Sequence, residues 1–476
     1  MRWAPLWAGV LIGLLLWPLF LPGQLALRDM LVLDSPALSA GALGVGDLPA
    51  RNAPQDGLLA VLGQVVPASW VARVFLLAGA AAGAYGAVLL ARHQGGSRLS
   101  TLAALTLTLW NPFTVERLLQ GHWSLVIAAW LLPLIAVLGL TGRLGWQWLA
   151  VWAASLTPTG AVFALLTAVA TARHRLATLA FALACCLPWL VPGLVEGTTV
   201  SEASVAAFAP RAEAWVGTPG ALVGLGGIWN ADAVPASREL GFALVGVVLF
   251  AVLATRVRRV PVPLLILAGL GLGGALLAWA LPDAFAWAAT QLPGAGLLRD
   301  ASKLTALALP AYVAAVASIS RFSGLVIALI LLQVPDAPRA LAPLTPQDIT
   351  VDAALVERVA GRDTLLVGTT PLTHRPDGEI VLNPLLKALP TVESGALVVD
   401  GVLVDEPAPR WIAAMDAWES RDLARLEELG VGVIVDGDEI TETAAAPQPR
   451  TLGLGLLLGW LAMPAVAAGA LRNARR

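Results

Sequence analysis

Charge is scarce in this 476-residue sequence: 13% of the residues are Asp, Glu, Lys or Arg and 58% are hydrophobic, where a soluble globular chain carries roughly 25% charged residues. That scarcity excludes an ordinary cytosolic enzyme. Lysine is almost missing, with Lys303 and Lys387 standing alone. Cysteine is confined to the adjacent pair Cys185 and Cys186 inside an apolar run, which offers neither a disulfide framework nor metal-ligand spacing. No P-loop occurs, which argues against an ATP-driven pump. A G-x-G-x-x-G match at Gly269, Gly271 and Gly274 sits in an apolar run with no strand before it and reads as close helix packing. No carboxylate, lysine or histidine falls in the middle of an apolar run, and Arg73 lies only a few residues inside one. Intramembrane ionisable groups mark ion-coupled transport, so their lack argues against a secondary transporter.

What is abundant is apolar sequence. A membrane crossing takes about 20 apolar residues, and candidate spans recur at 5–27, 68–91, 99–112, 123–141, 146–157, 159–172, 176–193, 240–255, 262–282, 303–320, 322–334 and 451–470. The pattern predicts a mainly α, polytopic transmembrane helix bundle of about twelve spans. The runs 146–157, 159–172 and 322–334 are among those shorter than a full crossing needs; the first two read as a hairpin turning at Thr157-Pro158-Thr159-Gly160. With both termini cytoplasmic, the inner loops carry thirteen arginines, from Arg2 to Arg476, and no acidic residue. All 32 acidic residues then lie on the outer side or at its boundary, as the positive-inside rule asks. The first run behind Arg2 has the alternative of being a cleaved signal peptide, although no small-x-small site follows it.

This topology gives a transmembrane helical domain over 1–334 with outer loops 28–66, 112–122, 194–239 and 283–302. An extracytoplasmic α/β domain follows over 335–450. A C-terminal transmembrane helix with a basic cytoplasmic tail, 451–476, closes the chain. Inside the α/β domain, helices are predicted at Val351–Arg362 and Ala413–Leu429. Strands are predicted at Thr364–Thr370, Glu379–Leu382, Leu397–Val404 and Val431–Val435.

Polar residues at the outer helix ends are the candidates for chemistry. Asp29 follows the first span directly, and Asp34, Asp47 and Asp56 come later in that loop. A carboxylate against a low-dielectric wall can act as a general base on a sugar hydroxyl or help hold a divalent cation; the plain alternative is a solvated loop acid. The second cluster is the connection from Trp110 to Trp123. A helix over 113–120 puts Glu116 and Gln120 on one face, lining a cleft with His122, while Arg117 points elsewhere. The alternative there is an interfacial turn with Trp110 and Trp123 as belt anchors. The third cluster holds Arg299, Asp300 and Lys303 just before a span. Arg299 and Lys303 are four apart on one helical face, at a helix N-terminus that favours an anion such as a lipid phosphate. The alternative is a surface ion pair of Asp300 with its neighbours.

With these clusters in place, the chain resembles the GT-C superfamily of polytopic glycosyltransferases, and more closely a set of uncharacterised actinobacterial multi-pass membrane proteins. The features that carry the resemblance are Asp29-Met30 after the first span, "VVPASWVARVFLLAGA", "WNPFTVERLLQGHWSL", "TPTG", "LLRDASK" and "LEELGVGVIVDGDE". It implies a plasma-membrane enzyme that uses a polyprenyl-phosphate sugar donor and an envelope glycan or glycolipid acceptor, with its active site facing away from the cytoplasm. By position, the first-loop catalytic acid of that superfamily falls on Asp29. Arg299, Lys303 and Arg117 become the donor-phosphate contacts, and Asp34, Glu116, Gln120, His122 and Asp300 line the cleft. Paired first-loop acids are common in that superfamily, whereas Asp29 is followed by Met30, and this departure leaves the role of a divalent cation open. Membrane lipid is the surrounding partner and nucleic acid is not one. The competing reading is a non-catalytic envelope protein or lipid-linked saccharide flippase whose outer domain binds a partner. Convergence of Asp29, Glu116, Arg299 and Lys303 on one cleft separates the two.

Overall fold

The computed structural model describes residues 3–196, 201–292, 294–399 and 401–473. Among them, seven helices are long and apolar enough to cross a membrane: Trp3–Phe20, Ala68–His93, Trp123–Leu140, Arg175–Val195, Val262–Ala280, Ser323–Ala340 and Thr451–Arg472. The other five expected spans are helical but shorter. They are Arg98–Leu109, Leu144–Ala154, Pro158–Thr171, Ala243–Ala254 and the pair Ala301–Ala308 and Leu309–Ala317, the first of that pair a 3₁₀ helix. Seven helices rather than twelve therefore have the length of a full crossing. The break between 146–157 and 159–172 lies where the sequence places it. Thr157 caps the second helix by accepting a hydrogen bond from Gly160 N at 3.2 Å, with Pro158 in the first turn.

Trp123–Leu140 is the central helix, with 89% of its residues buried. Small residues let Ala68–His93 lie against it. A Cβ on Gly83 would come within 2.7 Å of Trp130 O, and one on Gly86 within 2.5 Å of Leu134 Cβ, the close approach that glycines permit between membrane helices. The glycines of Val262–Ala280 act in part the same way: a Cβ on Gly271 would meet Leu304 O at 2.4 Å, while Gly269 faces open space. Trp110 and Trp123 are buried, with Trp110 Nε1 donating to Val334 O at 3.1 Å, so neither serves as a belt anchor.

The first helix ends earlier than expected. Its α-helical part stops at Leu16 and a 3₁₀ turn over Trp17–Phe20 follows, after which the chain runs extended. A two-stranded hairpin, β1 (Leu25–Leu27) and β2 (Met30–Val32), comes next. Asp29 therefore sits on a hairpin turn and not at a helix end.

Seven further strands lie in the polar segment before the last helix: β3 (Thr364–Val367), β4 (Leu372–His374), β5 (Ile380–Leu382), β6 (Leu397–Val399), β7 (Val402–Asp405), β8 (Val433–Asp436) and β9 (Glu439–Glu442). β3 pairs parallel with β8, and β9 runs antiparallel to β8. Two expected elements are split. The 397–404 strand is the hairpin β6–β7, with Gly401 at φ +78°, and the 413–429 helix is two helices, Pro409–Glu419 and Leu423–Glu428. Arg421 at φ +56° breaks that helix, and Asp422 restarts it by accepting from Arg425 N at 2.9 Å.

The polar segment shares its core with the first loop. Gln24 and Gln347 exchange backbone hydrogen bonds of 2.7 and 2.8 Å, and Arg28 N donates to Ile380 O at 2.8 Å. Ala26, Leu31 and Leu33 pack in one apolar cluster with Val359, Val381, Leu389 and Val433. A fragment of residues 336–449 leaves that face uncovered. Expressed alone, it is expected to melt earlier and less cooperatively than the same fragment joined to residues 22–36. Equal melting of the two by circular dichroism would show that the hairpin contributes nothing to this core.

Candidate active site

The site is assembled where the β1–β2 turn meets the C-terminus of the Pro112–Gln120 helix. That helix is well specified. Asn111 accepts from Thr114 N at 2.9 Å, Pro112 opens the first turn, and Gly121 ends it at φ +89°. Gly121 is also the point of closest approach, since a Cβ there would lie 2.3 Å from Met30 N and 2.7 Å from Leu27 O. Arg28 fastens the turn from the other side. In a left-handed conformation (φ +49°), it donates to Leu119 O and Asp232 O, both at 2.8 Å, and pairs with Glu379 at 3.0 Å. These bonds offset the cost of a left-handed arginine, of order 1–3 kcal/mol.

Asp29 is thereby held at the polar rim with its side chain 49% exposed. Its backbone N–H donates to Gln120 O at 3.1 Å. Its Oδ2 accepts from Gln120 Nε2 at 3.0 Å and lies 2.9 Å from His122 Nε2. Among the described residues, no side chain donates to Oδ1. His122 Nδ1 faces Arg117 Nη1 at 3.4 Å. Arginine has only donors, so Nδ1 is the acceptor and Nε2 carries the proton given to Asp29. Burial, helped by Lys303, lowers the His122 pKa and keeps the ring neutral. Burial works to raise the Asp29 pKa, but the His122 and Gln120 hydrogen bonds and the nearby Lys303 outweigh it, leaving the carboxyl below its ordinary value and ionised at neutral pH.

Behind Asp29 runs a buried ion-pair network. Arg117 grips Asp300 with both terminal nitrogens, at 2.5 and 3.0 Å, and donates to Ser302 Oγ at 2.6 Å. Ser302 in turn donates to Asp300 Oδ1 at 2.7 Å. Lys303 Nζ stands 3.6 Å from Asp300 Oδ2 and remains partly exposed. Burial raises the pKa of Asp300, but Arg117 and Lys303 more than reverse this. Arg117 is therefore a strut, with both terminal nitrogens taken by protein partners. Arg299 and Lys303 do not share an α-helical face, because Arg299 precedes a 3₁₀ helix over Ala301–Ala308. The Arg299 guanidinium bonds Asp405 at 2.9 Å and Ser204 at 2.8 Å and lies over the Phe208 ring. Asp405 also faces Arg51 at 3.5 Å, an arginine whose side chain is 55% exposed.

The remaining candidates lie apart. Glu116 and Gln120 do share a helical face, on which Ile228 N donates to Glu116 Oε2 at 3.1 Å and Asn230 Nδ2 to Gln120 Oε1 at 2.8 Å. Glu116, however, turns into a separate buried cluster with Glu213 and Arg238, the latter two hydrogen-bonded. Both Oε1 atoms and an Arg238 nitrogen crowd Gly226, within 2.9 Å of where a Cβ would sit. Asp34 accepts from Ser69 and, through its backbone carbonyl, from Ala68 N, holding the start of the Ala68–His93 helix. Asp29, Gln120, His122, Arg117, Asp300 and Lys303 thus come together, Arg299 stands next to them, and Glu116 and Asp34 do not join them. The sequence reading missed Arg51, Asp405, Asn230 and Glu213. Each belongs to a segment distant in sequence, and no local spacing links it to Asp29.

Burial, with Glu213 nearby, pushes the Glu116 carboxyl up to about 8 from its ordinary 4.5. A raised carboxyl pKa means that the unfolded state releases its proton first, so stability is lost as pH rises from 4.5 towards 8. Glu116→Gln keeps the shape without the titration. Its unfolding midpoint is expected to match the wild type at pH 5 and exceed it at pH 8.5; a constant difference across that range would contradict the assignment.

No family model matches this chain, and no curated protein matches it. Its fold is similar to that of arabinofuranosyltransferase AftD from Mycobacteria, seen by single-particle cryo-EM in a mutant form, with a TM-score of 0.51 and 19% identity. The match covers 91% of this chain and 36% of that one, so this chain spans little more than a third of the AftD chain. At that identity the likeness is one of fold. It joins the helical bundle and the polar segments described above to a fold known from a glycosyltransferase.

The groups around Asp29 do not fit a divalent cation. Asp29 is a single carboxylate whose neighbours are an N–H-donating imidazole, an amide N–H and the cations Lys303 and Arg51. Among the described residues no group of three or more His, Cys, Asp or Glu has metal-holding geometry.

Proposed function

We propose that this protein is a plasma-membrane glycosyltransferase that moves a sugar from a polyprenyl-phosphate donor to a cell-envelope acceptor on the non-cytoplasmic face. The observation that carries the reading is an ionised, half-exposed carboxylate, locked by His122 and Gln120 on a hairpin turn, with a partly exposed lysine beside it at the rim of an apolar bundle.

In this mechanism Asp29 Oδ1 takes the proton of the acceptor hydroxyl as its oxygen bonds to the anomeric carbon. The bond from that carbon to the phosphate oxygen breaks, and polyprenyl phosphate leaves with the electron pair. Lys303 stabilises the charge on the departing phosphate, and it does so strongly because it stands against low-dielectric walls. Arg51, exposed and near both Asp405 and Asp29, is the second phosphate contact. His122 and Arg117 act through others, as positioning residues for Asp29 and for the Asp300–Lys303 turn. The name of the structural neighbour makes an arabinofuranosyl donor the first to try.

Deletion of the gene tests this directly. The expected result is loss of one envelope glycan feature together with accumulation of one polyprenyl-phosphate sugar. An unchanged envelope and unchanged lipid-linked sugar pools would overturn the reading.

A further inference from the structure

Two cavities open between the first loop and the polar segment near the C-terminus. One, of about 140 Å³, begins at Leu31 and Val32 on β2 and extends to Arg51, Asn52, Asp56, Lys387 and Glu393. The other, of about 290 Å³, runs on to Asp47, Asp363, Arg410 and Gln448. Both are lined by Ser39, Gly41 and Glu393, so they adjoin as one groove. A cavity needs roughly 10–15 Å³ by such a measure to hold even one water, and each further water takes about 30 Å³, so each part has room for several water-sized groups. The groove starts two residues after Asp29 and leads away from it.

Its chemistry is polar and nearly self-neutralised. Asp56 holds Lys387 at 2.6 Å, Arg410 bridges Asp47 and Asp363 at 3.2 and 2.8 Å, and Arg51 faces Asp405. Among the lining residues four acids, Asp47, Asp56, Asp363 and Glu393, stand against three cations, Arg51, Lys387 and Arg410; among the described residues Glu393 receives no hydrogen bond and the Asn52 side chain makes none. Leu31, Leu48 and Leu59 supply an apolar side. Beyond Arg51, whose exposed end serves the donor phosphate, an anion meets an excess of carboxylate, and an acyl chain meets paired charges it cannot satisfy. Paired charges, a free carboxyl and a free amide beside an apolar wall suit hydroxyl groups carried on a carbon skeleton.

We propose that this groove binds an uncharged oligosaccharide, the chain of the acceptor, and presents its end to Asp29. Glu393 and Asn52 hydrogen-bond its hydroxyls. The inference rests on the glycosyltransferase reading for its role, while the binding itself does not require transfer.

The test is calorimetric titration of the full-length protein in nanodiscs, without donor. The probes are a linear arabinofuranosyl hexasaccharide, mannohexaose and cellohexaose, with a hexagalacturonate as the anionic control. At least one neutral hexasaccharide is expected to bind, equally well to the Asp29→Asn protein. Glu393→Gln and Asn52→Ala, neither of which breaks a side-chain hydrogen bond among the described residues, should each weaken it about tenfold, the scale of one lost hydrogen bond. Ser39→Trp, placed where the two cavities meet, should abolish binding. Failure of all three neutral probes, preference for the hexagalacturonate, or binding that ignores these substitutions would overturn the groove. If transfer fails in Asp29→Asn while binding is untouched by the groove variants, only the groove is lost; if a sugar binds in the groove but no transfer is found with any donor, only the enzyme reading is lost.

Discussion

Asp29→Asn should lower sugar transfer by about 10²- to 10⁴-fold, the usual loss on removing a general base, with normal expression and membrane insertion. Asparagine keeps the shape and one acceptor oxygen for His122 or Gln120, and a half-exposed rim position carries little folding energy. The fall should therefore appear in kcat, with the unfolding midpoint close to that of the wild type. His122→Ala should reduce kcat less, because it frees Asp29 to rotate without removing its charge. Lys303→Ala should act first on donor KM, as expected for a phosphate contact felt in ground state and transition state alike. Full activity in Asp29→Asn removes the carboxylate from the mechanism. Asp34 is no replacement, since Ser69 and the start of the Ala68–His93 helix already occupy it.

Arg117→Ala should be the most destabilising single change near the site. Asp300 is 2% exposed, and removing its bidentate partner leaves this buried charge with only Ser302 and the more distant Lys303, at a cost of up to about 3–5 kcal/mol. Lower yield and a clearly reduced unfolding midpoint are the expected result. Arg117→Lys keeps the charge but not the fork that reaches Asp300 and Ser302 together, so it should fall between. Combining Arg117→Met with Asp300→Asn should recover much of the loss, because no buried charge is then left alone. An Arg117→Ala protein of normal stability whose only defect is a raised donor KM would return Arg117 to the phosphate and remove it from the scaffold.

The sequence made some of this legible and hid the rest for physical reasons. Apolar runs placed all twelve helical segments, because burial and lipid exposure both demand them. Run length does not by itself fix the number of crossings: Arg98–Leu109 is short and largely buried, whereas Ala243–Ala254 is equally short but leaves apolar side chains such as Leu244 and Val248 exposed. The shared face of Glu116 and Gln120 follows from helical spacing alone, and the structure shows both facing residues 228–230. What they do there does not follow from spacing, because it depends on where Glu213 and Arg238 arrive from another part of the chain. Asp29 was legible as a candidate by its place after the first apolar run. Its hairpin was not, because three-residue strands so close to an apolar run leave almost no alternation to read. Arg299 and Lys303 looked like one anion-binding face only while the segment was taken as α-helical; a 3₁₀ start sends Arg299 to Asp405 instead.

The most direct test of the central claim is reconstitution of the purified protein in liposomes with radiolabelled polyprenyl-phosphate sugars, arabinofuranosyl first, and envelope glycan acceptors. The account predicts that one donor is consumed with one polyprenyl phosphate released for each sugar joined to the acceptor, and that Asp29→Asn removes this turnover. Movement of the intact donor across the bilayer with its sugar–phosphate bond unbroken, equally in wild type and Asp29→Asn, would contradict it.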